Sequence, residues 1–344
     1  MPELADEHIP VDLRATTSAD KPVKVLLDSR RFPSDPEETI LEANHVAVLL
    51  RSDSLANIAA GSKAIFEDAD VFRVTSIRKG FAGGGFDGGT SLPKKMAVAA
   101  QVPGSFLIPD QSELFLGFTS TQKAGLGPPK IANVEELGFS RGGYFREGTH
   151  LAVSHITEDL EAWYVNFAHQ ERVSTVFRPG LEVERDVLTV PQGPDDVSTE
   201  AKVKRDFVAS KQIGHSASLQ TVSRLATTAV GTSGTVYGPG TAIPHRADFN
   251  TLDNPFAWSA DPERDGMADG AAAGVHFVVF NPSSDDFNRG RLAMDGVLPD
   301  GTKLPFDPRD RGQGFNSILR TTHRQNFLVP PRRHRSFPLA ELLP

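Results

Sequence analysis

The stretch Thr149-His-Leu-Ala-Val-Ser-His-Ile-Thr-Glu-Asp-Leu-Glu-Ala-Trp-Tyr-Val-Asn-Phe-Ala-His-Gln-Glu-Arg-Val173 changes its hydrophobic period halfway along. Residues 151–156 read as a strand. Beyond them Leu160, Trp163, Tyr164 and Phe167 recur at i, i+3, i+4 and i+7, the spacing of an amphipathic helix. Thr157 is the expected N-cap, with Glu158 and Asp159 at the positive end of the helix dipole. A strand feeding a capped helix recurs elsewhere. His45-Val-Ala-Val-Leu-Leu50 leads through Ser52 and Asp53 into a helix reaching Phe66. Gly274-Val-His-Phe-Val-Val-Phe280 leads through Pro282-Ser-Ser284 into a helix reaching Met294. This recurrence favours two related α+β halves over a single αβα sandwich.

Working outward, Val71, Phe72, Val74 and Ile77 suit a second strand, followed by a glycine-rich loop at 80–89. A short helix is expected around 94–100 and an apolar strand at Glu113-Leu-Phe-Leu-Gly-Phe118. Residues 1–40 are polar and proline-containing, and read as an extended arm that could wrap a partner subunit. Long loops at 226–240 and 295–314 are of a kind that serves a site or an interface. The expected division is an arm at 1–40, an N-terminal lobe at 41–156 and a C-terminal lobe at 157–344.

With 39% apolar and 23% charged residues, a chain of 344 residues has enough material for a full core. Its formal charge of −8 has the wrong sign for a nucleic-acid or anionic-membrane partner. The basic cluster Arg332, Arg333, His334 and Arg335 beside Pro330 and Pro331 reads as solvated surface. The absence of cysteine removes disulfides, thiolate zinc sites, iron–sulfur clusters, thiolate-ligated heme and covalent heme attachment. No stretch approaches the ~18 apolar residues of a membrane span, and the start has no signal-peptide pattern. The expectation is a soluble, cytoplasmic protein, with export of a processed precursor left open.

Several motifs dissolve on inspection. Gly83, Gly85 and Gly88 have dinucleotide-turn spacing, but Gly89 and Pro93 delay any helix, so a surface loop is the better reading. Arg264–Gly270 lacks the spaced carboxylates of a calcium loop. Gly138-Phe-Ser140-Arg-Gly142 spells a nucleophile elbow without the strand and helix an elbow needs. His150 and His155 lie on opposite faces of their strand and read as structural or exposed.

Gly214-His215 stands apart. Ile213, Ala217, Leu219 and Val222 surround it with apolar side chains, while Gly214, Ser216 and Ser218 leave room for a flat group. Downstream, Ile243-Pro-His-Arg-Ala-Asp-Phe249 brings His245, Arg246 and Asp248 together. An arginine held by an aspartate is a common partner of anions and propionates. A salt bridge on a strand edge explains these residues equally well.

The order of these pieces resembles the dye-decolorizing peroxidase superfamily over roughly residues 43–296, as a divergent branch. The likeness rests on Asp159-Leu-Glu-Ala-Trp163 with His169-Gln-Glu-Arg172, on Gly214-His-Ser-Ala-Ser-Leu-Gln220, and on Pro244-His-Arg-Ala-Asp-Phe-Asn-Thr-Leu252 followed by 273–296. The resemblance implies tandem ferredoxin-like lobes of the dimeric α+β barrel type, with antiparallel sheets and peripheral helices. It also implies heme b, with His215 as iron ligand and Arg246 on the distal face. Arg224 is a candidate for the propionates. The family's Gly-Phe-x-Asp-Gly stands here as Gly117-Phe-Thr-Ser-Thr121, so Ser120 replaces the proton-moving aspartate. Serine donates a hydrogen bond but accepts a proton poorly at neutral pH. The expected function is a heme-dependent oxidoreductase with weak peroxidase activity, a small-molecule substrate including hydrogen peroxide, and a homodimer or higher homo-oligomer. The rivals are an aldoxime-dehydratase-like heme enzyme, a heme carrier or sensor, and a cofactor-free structural subunit.

Overall fold

A computed structural model describes residues 11–16, 22–24, 26–69, 71–83, 86–87, 89–118, 144–145, 147–185, 187–188, 196–231, 234–252, 271–331 and 333–334. Its strands, in chain order, are β1 (Val11–Thr16), β2 (Pro22–Lys24), β3 (Ile40–Leu41), β4 (Phe86–Asp87), β5 (Thr90–Ser91) and β6 (Thr149–Glu158). There follow β7 (Ala229–Val230), β8 (Val236–Tyr237), β9 (His245–Arg246), β10 (Phe249–Thr251), β11 (Gly274–Asn281) and β12 (Leu319–Val329). The α-helices are α1 (Leu55–Lys63), α2 (Leu92–Ala99), α3 (His169–Val176), α4 (Glu200–Ser210), α5 (His215–Ser223) and α6 (Ser284–Met294).

One sheet organises the described residues, in the order β10-β11-β6-β12-β3, with β9 also paired to β11. Every pairing in it is antiparallel except β12 with β3. The protein is therefore mixed α+β, with an antiparallel-dominated sheet and peripheral helices, as the sequence leads one to expect. Strand β6 sits at the centre because its alternating side chains have a partner on each side. It pairs with β11 from Gly274↔Thr157 to Asn281↔His150, and with β12 along nearly its whole length. The expected lobe boundary at 156/157 falls inside this strand. Among the described residues no helix is long and apolar enough to cross a membrane.

A bulge at Thr322 decides which side chains of β12 face which way. The register steps from Thr321↔Ile156 to His323↔His155, leaving Thr322 unpaired. Thr321 and Arg324 consequently share one face with Ile156 and Ser154, while His323 joins His155 and His276 on the other. That second face carries a buried row of imidazoles, with His155 and His276 rings 4.9 Å apart and His155 and His323 rings 6.5 Å apart. The Thr322 hydroxyl lies 2.6 Å from His155 Nδ1 and 3.0 Å from His323 Nδ1.

On the first face α5 and α6 pack side by side over the sheet. Helix α6 begins with a capping box: Ser283 accepts from the Asp286 N–H, and the Asp286 carboxylate accepts from the Ser283 N–H. The apolar core beside it gathers Trp163, Leu160, Phe115, Phe177 and Ile108, all fully buried. Each such side chain contributes about 1.5–3 kcal/mol by leaving water.

Four local expectations need correction. Residues 45–50 and 71–77 form no strand, and Val48, Leu49 and Val71 stay exposed, because alternation supplies no pairing partner by itself. Residues 115–118 are buried and Glu113 and Leu114 half-buried, but the segment is turned rather than extended. Trp163 Nε1 donates to Leu116 O (2.8 Å) and the Tyr164 hydroxyl donates to Phe115 O (2.6 Å), taking the carbonyls a ladder would use. Thr157 is no helix cap, since β6 runs on through Glu158; Asp159 Oδ1 instead accepts from the Ala162 N–H (2.8 Å), and the turn over Ala162–Asn166 is π-helical. Leu160, Trp163, Tyr164 and Phe167 are nonetheless all buried, as their spacing requires. Finally, residues 26–41 lie on this chain's own β12 and α6 rather than reaching away as an arm. The Leu27 N–H donates to Ser284 Oγ (2.8 Å), and Asn326 Nδ2 donates to Leu27 O (2.8 Å).

Candidate functional site

Between the α5/α6 layer and the sheet lies a cavity of about 210 Å³. Its helix wall includes His215, Leu219 and Val222 from α5 and Phe287, Arg291 and Met294 from α6. Its sheet wall includes Ile156, Glu158, Phe277, Val279, Arg246 and Asp248.

His215 reaches this place through a chain of local constraints. Thr199 Oγ1 caps α4, which ends at Lys211 in a left-handed turn (φ 59°). Gly214 then opens α5. A Cβ there would stand 2.1 Å from Phe177 O, so only glycine lets the helix start press against that backbone. The Ala217 N–H donates to Phe177 O (3.0 Å), which fixes the first turn. His215 is thus the first residue of α5, its ring 4.5 Å from the Phe315 ring. Nδ1 is buried with no hydrogen-bond partner. Burial, followed by the charges of Arg246 and Arg291, pushes the imidazole down to about 3. It is neutral at physiological pH, the state in which a histidine binds a metal.

Arg246 stands on β9, which pairs with β11 through Val279↔Arg246. Its Nε lies 3.7 Å from Asp248 Oδ2, while Asp248 Oδ1 accepts from the Val278 N–H (3.0 Å). Burial raises the Asp248 carboxyl to about 6, against the opposing pull of Arg246. Arg224 follows α5 and is 5% exposed. One of its Nη atoms donates to Gly240 O (3.3 Å), and its Nε is buried without a partner. Burial, then the neighbouring Arg246, lowers it to about 10.

The structure brings together His215, Arg246 and Arg224, and adds Asp248 as a wall residue. Ser120 and the motif at 138–142 lie outside the described residues. His245 points elsewhere, its ring 6.1 Å from Phe280, on the strand face away from the cavity. Sequence reasoning missed Arg291 and Glu158 as wall residues. It also missed the buried pair at the cavity's far end, where Arg324 donates to both Asp35 oxygens (2.6 and 2.7 Å). The i, i+3, i+4 phase of α6 relative to Phe287 and Met294 was the signal available for Arg291.

The residues fit a flat, largely apolar group carrying carboxylates and an electron-pair-accepting centre. The walls are mostly apolar, one neutral imidazole faces in, and the buried Nε–H groups of Arg224, Arg246 and Arg291 have no hydrogen-bond acceptor among the described residues. No cluster of three or more His, Asp or Glu among those residues could hold a bare metal ion.

Known proteins place the chain in one family. The model of DUF7405, a family of unknown function, matches residues 14–237. The chain belongs to that family. No curated protein matches this DUF7405 member. Among solved structures it is similar to a dye-decolorizing protein from V. cholerae at 14% identity, covering 62% of this chain and 51% of that one, with a TM-score of 0.32. A DypB variant from Rhodococcus jostii RHA1 in complex with heme gives 13% identity, 64% and 52% coverage and a TM-score of 0.31. A putative DyP-type peroxidase from Shewanella oneidensis gives 12%, 79% and 77%, and 0.35. The chain spans about half the length of the first two. At these identities and scores the likeness says nothing about chemistry.

Proposed function

We propose that this DUF7405 chain is a heme b-binding oxidoreductase of peroxidase-like ancestry. The observation that carries the reading is the cavity wall itself: a neutral, buried imidazole on the helix side and a guanidinium on the sheet side. His215 is the iron ligand in this reading, and the Arg224 and Arg291 guanidinium groups receive the propionates. Heme, when bound, supplies the redox couple for reducing a peroxide O–O bond. Arg246 orients the peroxide by donating to its anionic oxygen. Asp248 Oδ2, free of the Val278 N–H that Oδ1 accepts, takes or returns a proton near neutral pH. Ser120, standing where the dye-decolorizing peroxidase pattern has an acid, contributes a hydrogen bond in this reading. The same proposal includes a division into lobes at 41–156 and 157–344, a homodimer or higher homo-oligomer, and a cytoplasmic setting.

The experiment is reconstitution with hemin, followed by peroxide turnover in wild type and in Arg246→Leu. A stoichiometric Soret band is expected, with turnover reduced about 10²–10³-fold in the variant, the usual cost of one lost donor. Heme binding without any peroxide turnover in wild type would make the protein a carrier. No Soret band at all would refute the heme reading.

A further inference from the structure

On the sheet face away from the cavity, His276, His155 and His323 form one row across β11, β6 and β12, through the pairs His276↔His155 and His323↔His155. All three are buried. His276 Nε2 donates to Lys79 O (3.1 Å), so Nδ1 carries the lone pair of the neutral ring, and Nδ1 is buried with no partner. His155 Nδ1 meets the Thr322 hydroxyl at the bulge, and its Nε2 is buried with no partner. A second proton on either ring would therefore leave a buried N–H without an acceptor. Beyond the imidazoles themselves, the charged groups facing the row among the described residues are Arg78 and the adjoining Lys79 on the segment that covers it. Glu42 holds Arg78 through both oxygens (2.9 Å each). Arg320, farther along the same face of β12, is paired with Glu38.

The covering segment reaches the cavity wall. Thr251 Oγ1 also donates to Lys79 O (2.7 Å), and Phe81 exchanges both backbone bonds with Asn250 of β10 (2.9 and 3.1 Å). The Phe81 ring stands edge-on to Phe115, 6.1 Å away, and Gly83 runs so close to Glu113 that a Cβ there would meet its carbonyl oxygen at 1.8 Å. Asn250 Nδ2 donates to the same carbonyl (3.1 Å). Residues 113–118 in turn give the cavity Leu114, Leu116 and Phe118. One continuous set of contacts joins the imidazole row to one side of the cavity.

We propose that the imidazole row is an acid-released latch: while neutral it seats residues 78–81 on β10 and β11 and so braces the 113–118 wall of the cavity. Once protonated, the row repels Arg78, the segment lifts and the wall slackens. Burial, and after it the neighbouring charges of Arg78 and, for His155, of His276, keep the rings neutral while the latch is shut. In the open state each imidazole regains its ordinary value of about 6.5. The open state then binds more protons than the shut one, so falling pH favours opening. Below that value each of His155 and His276 multiplies the opening equilibrium by up to about tenfold per pH unit. The latch belongs to the fold and acts whatever the cavity holds.

Amide hydrogen exchange on the full chain, corrected for intrinsic rates, reads the latch directly. From about pH 6 to about pH 5 the protection of the Phe81 and Asn250 amides should fall roughly 10- to 100-fold, while the β6–β11 ladder keeps its own. In Trp258→Phe, acrylamide should quench Trp163 more readily over the same range, because its Nε1 donates to Leu116 O in the braced wall. His276→Gln can still donate to Lys79 O but does not titrate, and should cut the dependence to about tenfold per pH unit at most. His155→Phe, which keeps a ring in the row, should do the same. Protection at Phe81 and Asn250 that ignores pH overturns the latch, as does its loss in step with the β6–β11 ladder, which is global unfolding. A pH slope unchanged in both variants takes the effect away from the row and overturns it too. Shielding of Trp163 that stays constant while Phe81 opens overturns the link to the cavity wall.

Discussion

At the residue scale, His215 is defined by what it lacks. Its Nδ1 is buried without a partner, and burial holds the ring neutral at about 3. Most metal-binding histidines donate their second nitrogen to an acceptor, which orients the ring. Here packing against Phe315 and the first turn of α5 fix its orientation instead. Since the ring makes no hydrogen bond that the fold needs, His215→Ala should abolish stoichiometric heme binding while leaving the far-ultraviolet circular dichroism and urea midpoint close to wild type. Heme retained at wild-type occupancy would remove His215 as ligand.

At the scale of elements, the Thr322 bulge governs the far end of the cavity. By shifting the register it turns Arg324 towards Asp35, and the two form a bidentate pair with side chains 3% and 1% exposed. The pair ties β12 to the segment before β3. Removing one member of a buried pair leaves an uncompensated charge, so Arg324→Met should cost about 3–5 kcal/mol in urea unfolding at neutral pH. Burial opposes ionisation of Asp35, but Arg324 and Arg291 together hold its pKa below the usual value. A depressed carboxyl stabilises above its unfolded pKa, about 3.9, and loses that contribution as pH falls through the folded value. The gap between wild type and variant should therefore narrow in acid, and a gap independent of pH would refute this account. None of this end of the cavity was legible beforehand, because a bulge leaves no mark in the alternation of β12. Strands β6 and β11 and helix α6 were legible, since period and caps agree in each. The site was legible in part: Gly214-His215 and Arg246 carry local signals. Glu158 was read as a helix-dipole residue because Asp159, one position later, is the real cap.

For the molecule as a whole, buried titratable groups set the pH dependence of stability. His150, His215 and His276 are each pushed down to about 3 by burial, and His155 well below its ordinary value by burial and the neighbouring His276. A histidine with a depressed folded pKa binds fewer protons folded than unfolded between that value and 6.5. Each such group makes stability rise with pH there, by up to about 1.4 kcal/mol per pH unit. Glu158 and Asp248, raised to about 8 and about 6, act in the opposite sense between their unfolded and folded values. Four histidines outweigh two acids below 6.5, and above it only Glu158, with its folded value of about 8, remains. The urea midpoint should climb steeply from acid to near pH 6.5 and then sag gently towards 8. A midpoint flat across the acid range would show that the imidazoles are already charged in the folded state.

The packing of Trp163 has an optical consequence. Its indole is fully buried and 5.9 Å from the Phe315 ring, which in turn lies 4.5 Å from the His215 ring. The sequence has only two tryptophans, and the other, Trp258, lies outside the described residues. A strongly absorbing ligand seated at His215 would sit within easy energy-transfer range of Trp163 and extinguish its emission. In Trp258→Phe, fluorescence should therefore fall in step with added hemin and stay bright in the additional absence of the His215 imidazole. The protein carries its own gauge of cavity occupancy, readable at concentrations too dilute for absorbance.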